Sequence, residues 1–199
     1  MKAFTFDTFI LHPSNQNAYD LCKKLARFDD TLKNPIVLLG DPGAGKTHLL
    51  WAIVNHYRAS EAPVGIALIS PVSFPEVVKD LASKPEKLTA ATPVVLLVDD
   101  LHGFDRSSAG DLERVLFALH EHGHYAILAA QQHPTLIPAL SGKCKAFLND
   151  GSIVGINPLP GRVDAPKDAS ETSAVPDGTG VAAKEVKPGY LSAAQEMPE

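Results

Sequence analysis

The stretch Gly40-Asp41-Pro42-Gly43-Ala44-Gly45-Lys46-Thr47 decides the fold of this chain. It fits the pattern G-x-x-x-x-G-K-[ST] at every position, and its glycines let consecutive backbone N–H groups turn inward toward phosphate oxygens. The pattern needs a strand before it and a helix after it. An apolar run ends at Leu39, and apolar residues at helical spacing extend from Leu49 to Tyr57. This context predicts a phosphate-binding loop that joins the first strand of a parallel sheet to a helix.

Each residue type in this loop has a physical task. Free N–H groups at a helix N-terminus favour anions, so we expect the whole loop to cradle the phosphates of a nucleotide. The Lys46 ammonium would reach the β- and γ-phosphates, and the Thr47 hydroxyl would ligate Mg²⁺. We therefore expect ATP or ADP with Mg²⁺ as the cofactor. The expected contacts are Gly40, Asp41, Pro42, Gly43, Ala44, Gly45, Lys46, Thr47 and His48.

A second acidic element follows a later strand. Residues 94–98 read Val-Val-Leu-Leu-Val and are followed by Asp99 and Asp100. Ligands of open α/β sheets lie outside the carboxyl ends of the strands. We therefore expect Asp99 beside the phosphate-binding loop, where it would hold Mg²⁺ directly or through water. Asp100 is expected to orient or deprotonate the attacking water.

Strand and helix signals alternate up to residue 158, which is typical of an α/β fold with a parallel sheet. We predict strands at 35–39, 64–69, 93–98, 125–130 and 152–156. We predict helices at 13–27, 46–57, 73–82 and 109–121, and a helical turn at 135–140. Ser14 is the expected N-cap of the first helix, and Gly123 is expected to end the last. The predicted architecture is a three-layer α/β/α sandwich around a five-stranded parallel sheet.

The composition changes near Pro158. Residues 158–199 contain six prolines and four glycines, one aromatic residue, and seven acidic against four basic residues. Such a segment buries too little apolar surface to offset the entropy of ordering it. We predict a nucleotide-binding domain at 1–158 and, at 159–199, a disordered tail rich in proline, glycine and acidic residues.

The overall composition excludes several classes of protein. The chain has 199 residues and a net charge of −5, and it contains no run of about 18 apolar residues that would cross a membrane. Its two cysteines are far apart, which excludes a disulfide scaffold and a cysteine-rich zinc site. We therefore expect a cytoplasmic protein without a membrane partner.

Several stretches resemble the AAA+ ATPase domain of DnaA, the bacterial replication initiator family. The resemblance spans about residues 4–160 and is carried by Phe4–Phe9, Pro13–Asn15, Gly45–Leu50, Leu97–Asp100 and Ala118–Glu121. It implies the base subdomain of an AAA+ protein, which is a P-loop NTPase fold. It also implies that Phe9 to Ser14, Pro13 among them, lie near the adenine, and that Gln131 senses the γ-phosphate from the end of the fourth strand.

The chain also departs from that family. The family places an arginine finger shortly before the fifth strand, whereas residues 140–148 contain no arginine and Phe147 stands near that position. We expect the helical lid subdomain and the C-terminal helix-turn-helix domain to be absent. The segment between the second and third strands is short, and its basic residues are Lys79, Lys84 and Lys87. These departures predict slow ATP hydrolysis and weak or no direct DNA binding.

The resemblance implies a nucleotide-dependent regulator of replication initiation that acts through contacts with another AAA+ protein, such as the replication initiator. Two alternatives stay open: a helicase-loader-like ATPase, and a nucleotide-binding adaptor that does not hydrolyse ATP. The expected catalytic residues are Lys46, Asp99, Asp100 and Gln131, and the expected Mg²⁺ ligands are Thr47 and Asp99.

Overall fold

The computed structural model describes residues 4–29, 31–60, 63–74, 78 and 93–158. Within them, five strands form one sheet in the order β2-β3-β4-β1-β5, and every neighbouring pair is parallel. The strands are β1 Ile36–Leu39, β2 Gly65–Ile69, β3 Val94–Val98, β4 Tyr125–Ala130 and β5 Ser152–Gly155. The predicted five-stranded parallel sheet is confirmed, and each strand boundary lies within one residue of its predicted place.

Helices cover both faces of this sheet. They are α1 Gln16–Leu25, α2 Lys46–Ser60, α3 Arg106–Glu121 and α4 Gly142–Asp150. Alternate residues of a strand point to opposite faces. Val37 accordingly packs into the core on the side of α3 and α4, while Ile36 and Leu38 pack into the core on the side of α1 and α2. The predicted three-layer α/β/α sandwich is confirmed.

The strand register brings the loops that follow β1, β3 and β4 to one edge of the sheet. Leu39, the last residue of β1, pairs with Ala130 of β4 on one side and with Gly155 of β5 on the other. At the opposite edge Asn34 joins β1 to β4. Its side-chain amide donates to the His124 carbonyl oxygen at 2.7 Å, and its side-chain oxygen accepts from the Ala126 N–H at 2.9 Å.

The start of α1 differs from the prediction. The N-cap is Asn15, not Ser14, and its side chain makes no capping bond to the helix. Instead the Asn15 side-chain oxygen accepts from the His12 N–H at 2.8 Å, and its amide donates to the Ile10 carbonyl oxygen at 3.0 Å. The Ser14 hydroxyl lies 3.1 Å from the His12 ring. Ser14 was the wrong N-cap because contacts with the preceding segment decide which residue begins the helix.

The predicted helix at 109–121 begins three residues early and ends as expected. Asp105 is its N-cap, and the Asp105 carboxylate accepts from the Ser108 N–H at 2.8 Å. After the last turn, Gly123 has a positive φ of 72°. The Gly123 N–H donates to the His120 carbonyl oxygen and the His124 N–H to the Leu119 carbonyl oxygen. These two bonds satisfy carbonyls that the helix end leaves free, which is the expected task of a glycine there.

Helix α4 was not predicted. Ser141 caps it by accepting from the Cys144 N–H at 3.1 Å, and Cys144 and Leu148 are buried against the sheet. Its two buried residues are too few to show a helical period in the sequence. The helical turn expected at 135–140 is a shorter 3₁₀ turn at Pro134–Leu136.

Three predictions lie wholly or mostly outside the described residues: the helix at 73–82, the basic residues Lys79, Lys84 and Lys87, and the tail at 159–199. Among the described residues, no helix combines the length and the apolar character that crossing a membrane requires.

Candidate nucleotide-binding site

The phosphate-binding loop uses its glycines for two different reasons. Gly43 and Gly45 have φ values of 77° and 106°, in the region that favours glycine. Gly40 has an ordinary φ, but a Cβ atom there would overlap the carbonyl oxygen of Ile156. The loop therefore packs directly on the backbone that follows β5. It ends where α2 begins, at Lys46.

Lys46 is drawn into the loop. The residue is only 6% exposed, and its ammonium donates to the carbonyl oxygens of Gly40 at 2.6 Å and Asp41 at 2.8 Å. Burial lowers the pKa of Lys46, while the nearby carboxylates of Asp100, Asp99 and Asp41 act in the opposite direction. The cation is thus held inside the loop by neutral carbonyls, which a phosphate oxygen can replace with a stronger, charge-assisted hydrogen bond.

Thr47 and Asp99 meet directly. The Thr47 hydroxyl donates to a carboxylate oxygen of Asp99 at 2.7 Å, although 52 residues separate them in sequence. The main chain fixes Asp99 from the other side, because its N–H donates to the Ile69 carbonyl oxygen of β2 at 2.8 Å. A hydroxyl and a carboxylate at this spacing are hard oxygen donors of the kind that bind Mg²⁺. The chain's residues therefore fit the expected metal.

Asp100 lies at the same edge in a strained conformation. Its φ of 50° is positive, and its N–H donates to the Asp99 carboxylate at 3.1 Å. Its own side chain is exposed. Non-glycine residues in the left-handed region are uncommon and concentrate at functional sites. The exposed Asp100 carboxylate projects away from the core and lies near enough to Lys46 to oppose the lowering of that residue's pKa by burial.

The N-terminal segment, residues 4–13, lies against the loop and α2. The Phe9 ring faces Gly45 so closely that a Cβ atom on Gly45 would come within 2.9 Å of it. Phe9 also stacks on Tyr19 of α1 with the ring centroids 5.7 Å apart. The end of this segment and the first turn of α1 form a shallow surface groove of about 430 Å³. It is lined by Leu11, His12, Pro13, Gln16 and Asn17.

His48 is oriented toward this segment. Its ring nitrogen Nε2 lies 2.9 Å from the Thr5 carbonyl oxygen, and its ring packs against Phe4 and Phe9 with centroids 4.9 and 5.2 Å away. The sequence pattern places His48 among the nucleotide contacts because this residue follows the loop. It had no signal for the partners of the side chain, since these lie some 40 residues earlier.

Gln131 follows β4 at the same edge of the sheet and its side chain is exposed. The preceding residue, Ala130, accepts a hydrogen bond from the Gly40 N–H at 3.1 Å, which places Gln131 next to the start of the loop. The structure therefore brings Lys46, Thr47, Asp99, Asp100 and Gln131 to one edge of the sheet.

Phe147 lies on α4, where it packs against two aromatic rings of α3. The Phe147 centroid is 5.2 Å from Phe117 and 5.1 Å from His120, and the Lys143 ammonium sits over the Phe117 ring at 4.6 Å. This position therefore carries an aromatic contact within the chain, and the neighbouring cation at Lys143 is engaged with the same aromatic cluster.

Comparison with known proteins points to one family. Residues 1–155 match the family model described as the bacterial DnaA ATPase domain. The chain is 28% identical over 165 residues to a chromosomal replication initiator protein DnaA of Caulobacter sp. strain K31, covering 79% of this chain and 34% of that protein. It is 33% identical to the DnaA of Picosynechococcus sp., covering 78% of this chain and 36% of that protein. The chain thus spans about a third of the length of these relatives.

Solved structures show the same fold. Domain III of the Thermotoga maritima replication initiation protein DnaA superposes with a TM-score of 0.66 at 22% identity, over 78% of this chain and 68% of that one. AMPPCP-bound DnaA from Aquifex aeolicus gives 0.65 at 23%, over 78% and 50%. A replication initiator DnaA bound to AMPPCP and single-stranded DNA gives 0.64 at 24%, over 77% and 49%.

Proposed function

Since this chain belongs to the bacterial DnaA ATPase domain family, we propose that it binds ATP or ADP with Mg²⁺ at the loop formed by residues 40–47. The observation that carries the proposal is the 2.7 Å contact between Thr47 and Asp99 beside the buried Lys46. Phosphates would take the Lys46 ammonium from the Gly40 and Asp41 carbonyls. The Thr47 hydroxyl and the Asp99 carboxylate would hold Mg²⁺, which supplies charge neutralisation for the phosphates when bound.

The remaining site residues receive roles from their placement. Asp100 projects beside the loop and would orient or deprotonate the attacking water. Gln131 would hydrogen-bond the γ-phosphate or that water, since its amide both donates and accepts. Phe9 and Pro13 would contact the base, because Phe9 lies on Gly45 of the loop and Pro13 belongs to the same N-terminal segment.

Hydrolysis by the isolated chain is proposed to be weak. An arginine finger contributes on the order of 10³–10⁵ in rate to phosphoryl transfer. Residues 140–148 contain no arginine, and Phe147 is packed against α3. Bound ATP would then stay unhydrolysed for longer, which suits a regulator whose nucleotide state is recognised by other proteins.

We propose that its reader is another AAA+ protein, such as the replication initiator, rather than DNA. The curated relatives are chromosomal replication initiator proteins. The whole chain carries a net charge of −5, which does not favour binding to a polyanion. Because one solved relative is bound to single-stranded DNA, the experiments below include a direct measurement of DNA binding by this chain.

Calorimetry with AMPPCP tests nucleotide binding. Wild type should bind in Mg²⁺, and Lys46→Ala should lose about 10- to 100-fold in affinity, the equivalent of a hydrogen bond to a charged group. Lys23→Ala, on α1, is the matched control and should bind as wild type does. No binding by wild type at millimolar AMPPCP would refute the proposal.

Three further measurements separate the alternative functions. Turnover that rises when a purified initiator is added supports the regulator, and capture of that initiator should depend on Lys46. Turnover stimulated by single-stranded DNA, or a submicromolar dissociation constant for DNA at 0.15 M salt, would favour the loader. Tight nucleotide binding without turnover under any of these conditions would favour the adaptor.

A further inference from the structure

We propose that His48 is a positioning residue that clasps the N-terminal segment over the phosphate-binding loop, so that it supports binding of the base and not of the phosphates. The inference rests on the proposed function, because it assigns a role within the same nucleotide site. It differs from the sequence-based expectation, which counted His48 among the nucleotide contacts.

The His48 ring is hydrogen-bonded to the backbone of the N-terminal segment. The Thr5 carbonyl can only accept, so Nε2 at 2.9 Å must be the donor. The Thr8 hydroxyl lies 3.4 Å from the same nitrogen. This side of the ring is therefore committed to the N-terminal segment, although His48 is only two residues beyond the lysine that enters the loop.

The His48 ring also packs against aromatic rings of the segment. Phe4, at the start of the segment, and Phe9, in its middle, both pack on His48. Phe9 is the residue that lies on Gly45 of the loop. His48 thus joins the segment to the first turn of α2 and holds Phe9 in contact with the loop.

A second contact holds the far end of the segment. The Asn55 side-chain amide, two turns further along α2, donates to the Phe4 carbonyl oxygen at 2.7 Å. His48 and Asn55 therefore bind consecutive carbonyls, those of Thr5 and Phe4, from one face of α2. Phe4 remains 50% exposed, so burial of its ring is incomplete and these two hydrogen bonds are needed to hold this end of the segment.

The consequence for binding follows from linkage. The phosphates would contact the loop and Lys46, whose hydrogen bonds to Gly40, Asp41 and Ala130 are made outside the segment. The base would contact Phe9 and Pro13, which belong to the segment. If the clasp is lost, the segment is seated for a smaller fraction of the time, and affinity falls by that fraction only for ligands that carry a base.

The test compares AMPPCP with inorganic tripolyphosphate, both in Mg²⁺, by calorimetry. His48→Ala should bind AMPPCP about tenfold more weakly, as expected for the loss of one hydrogen bond with its ring packing. It should bind tripolyphosphate within about twofold of wild type. Lys46→Ala should bind both ligands more weakly. His120→Ala, which changes a histidine of α3, should bind both as wild type does.

Chymotrypsin cleavage measures how firmly the segment is held without any ligand, since the segment contains three of its cleavage sites, Phe4, Phe6 and Phe9. Cleavage within the segment tracks the open population, so it should rise about tenfold in His48→Ala. Asn55→Ala provides the second variant: we expect faster cleavage and weaker AMPPCP binding, with tripolyphosphate unchanged. If His48→Ala does not fold, this variant decides the question.

Equal losses of AMPPCP and tripolyphosphate in His48→Ala would show that His48 binds phosphate and would overturn the inference. Unchanged AMPPCP affinity and unchanged cleavage would overturn it as well. If wild type binds neither ligand, the proposed function fails, and the cleavage rates of His48→Ala and Asn55→Ala still decide whether the clasp exists.

Discussion

The Thr47 hydroxyl donates a 2.7 Å hydrogen bond to the Asp99 carboxylate, and this bond joins the helix that follows β1 to the end of β3. The sheet makes the contact possible, because β4 alone separates β1 from β3 and all three strands end at the same edge. A bound Mg²⁺ would compete for these two oxygens. Their present bond holds them together in the geometry from which a cation can be ligated.

Replacing Asp99 should therefore uncouple nucleotide binding from magnesium. We expect wild type to bind AMPPCP more tightly with Mg²⁺ than with EDTA. In Asp99→Asn, the gain in AMPPCP affinity that Mg²⁺ gives should be about tenfold smaller, equivalent to about 1.4 kcal/mol, while affinity in EDTA changes little. Calorimetry under the two conditions measures both. Asp150→Asn, an exposed carboxylate on α4, is the control, and an unchanged magnesium dependence in Asp99→Asn would contradict the assignment.

Asp100 should affect turnover and not binding. We expect wild type to release phosphate well below the ~1 s⁻¹ that marks the low end of typical enzymes. Asp100→Asn should reduce that rate by about 10²-fold or more, as loss of a general base does, with AMPPCP affinity kept. A phosphate-release assay beside calorimetry separates the two effects. Fast turnover by purified wild type would show that another group, such as Lys143, replaces the missing arginine.

The capping carboxylate of α3 should make stability depend on pH. Hydrogen bonds from the backbone and side chain of Ser108 lower the pKa of Asp105 below its usual value. A lowered pKa in the folded state contributes stability above the pKa of the unfolded chain, about 3.9, and that contribution is lost as pH falls through the folded value.

Asp105→Asn should keep the cap but remove its titration, since asparagine also caps helices well. We expect similar stability at pH 7 and a shallower fall in the free energy of unfolding as the pH drops below about 4. Urea unfolding across this range tests the prediction, and it is wrong if both chains lose stability with the same slope.

Asn34 should matter for stability although it lies away from the site. Its side chain bonds the backbone on both sides of the first residue of β4, at His124 and Ala126. Asn34→Ala would leave these groups without those bonds, and we expect a loss of about 1–3 kcal/mol. Thermal melting should show a decrease of about 2–4 °C for each kcal/mol. Asn149→Ala, exposed on α4, should melt as wild type does.

Removal of residues 161–199 should leave the domain folded. The composition of this part of the chain predicts no contribution to a core. We expect the shortened chain to melt within a few degrees of the full chain and to bind AMPPCP with the same affinity. A larger fall in melting temperature would show that the domain boundary near residue 158 is misplaced.

The sheet and the ends of its strands could be predicted from the amino-acid sequence. Parallel strands buried on both faces appear as apolar runs. The loop at 40–47 is recognisable because Gly43 and Gly45 adopt positive φ values that favour glycine whatever surrounds them. The ends of β1 and β3 then placed Thr47 and Asp99 at one edge. Such features depend on local pattern and on the general rule for parallel sheets, so one sequence suffices to predict them.

The orientation of particular side chains depends on contacts that exist only in the folded chain. Ser14 and Asn15 are both good N-caps, and the backbone of His12 and Ile10 determines that Asn15 takes the position. His48 follows the loop in sequence, yet its ring is held by Thr5, a residue 43 positions earlier. A side chain takes the orientation that satisfies its polar atoms and packs its surface, and the groups that do so are brought to it by the fold.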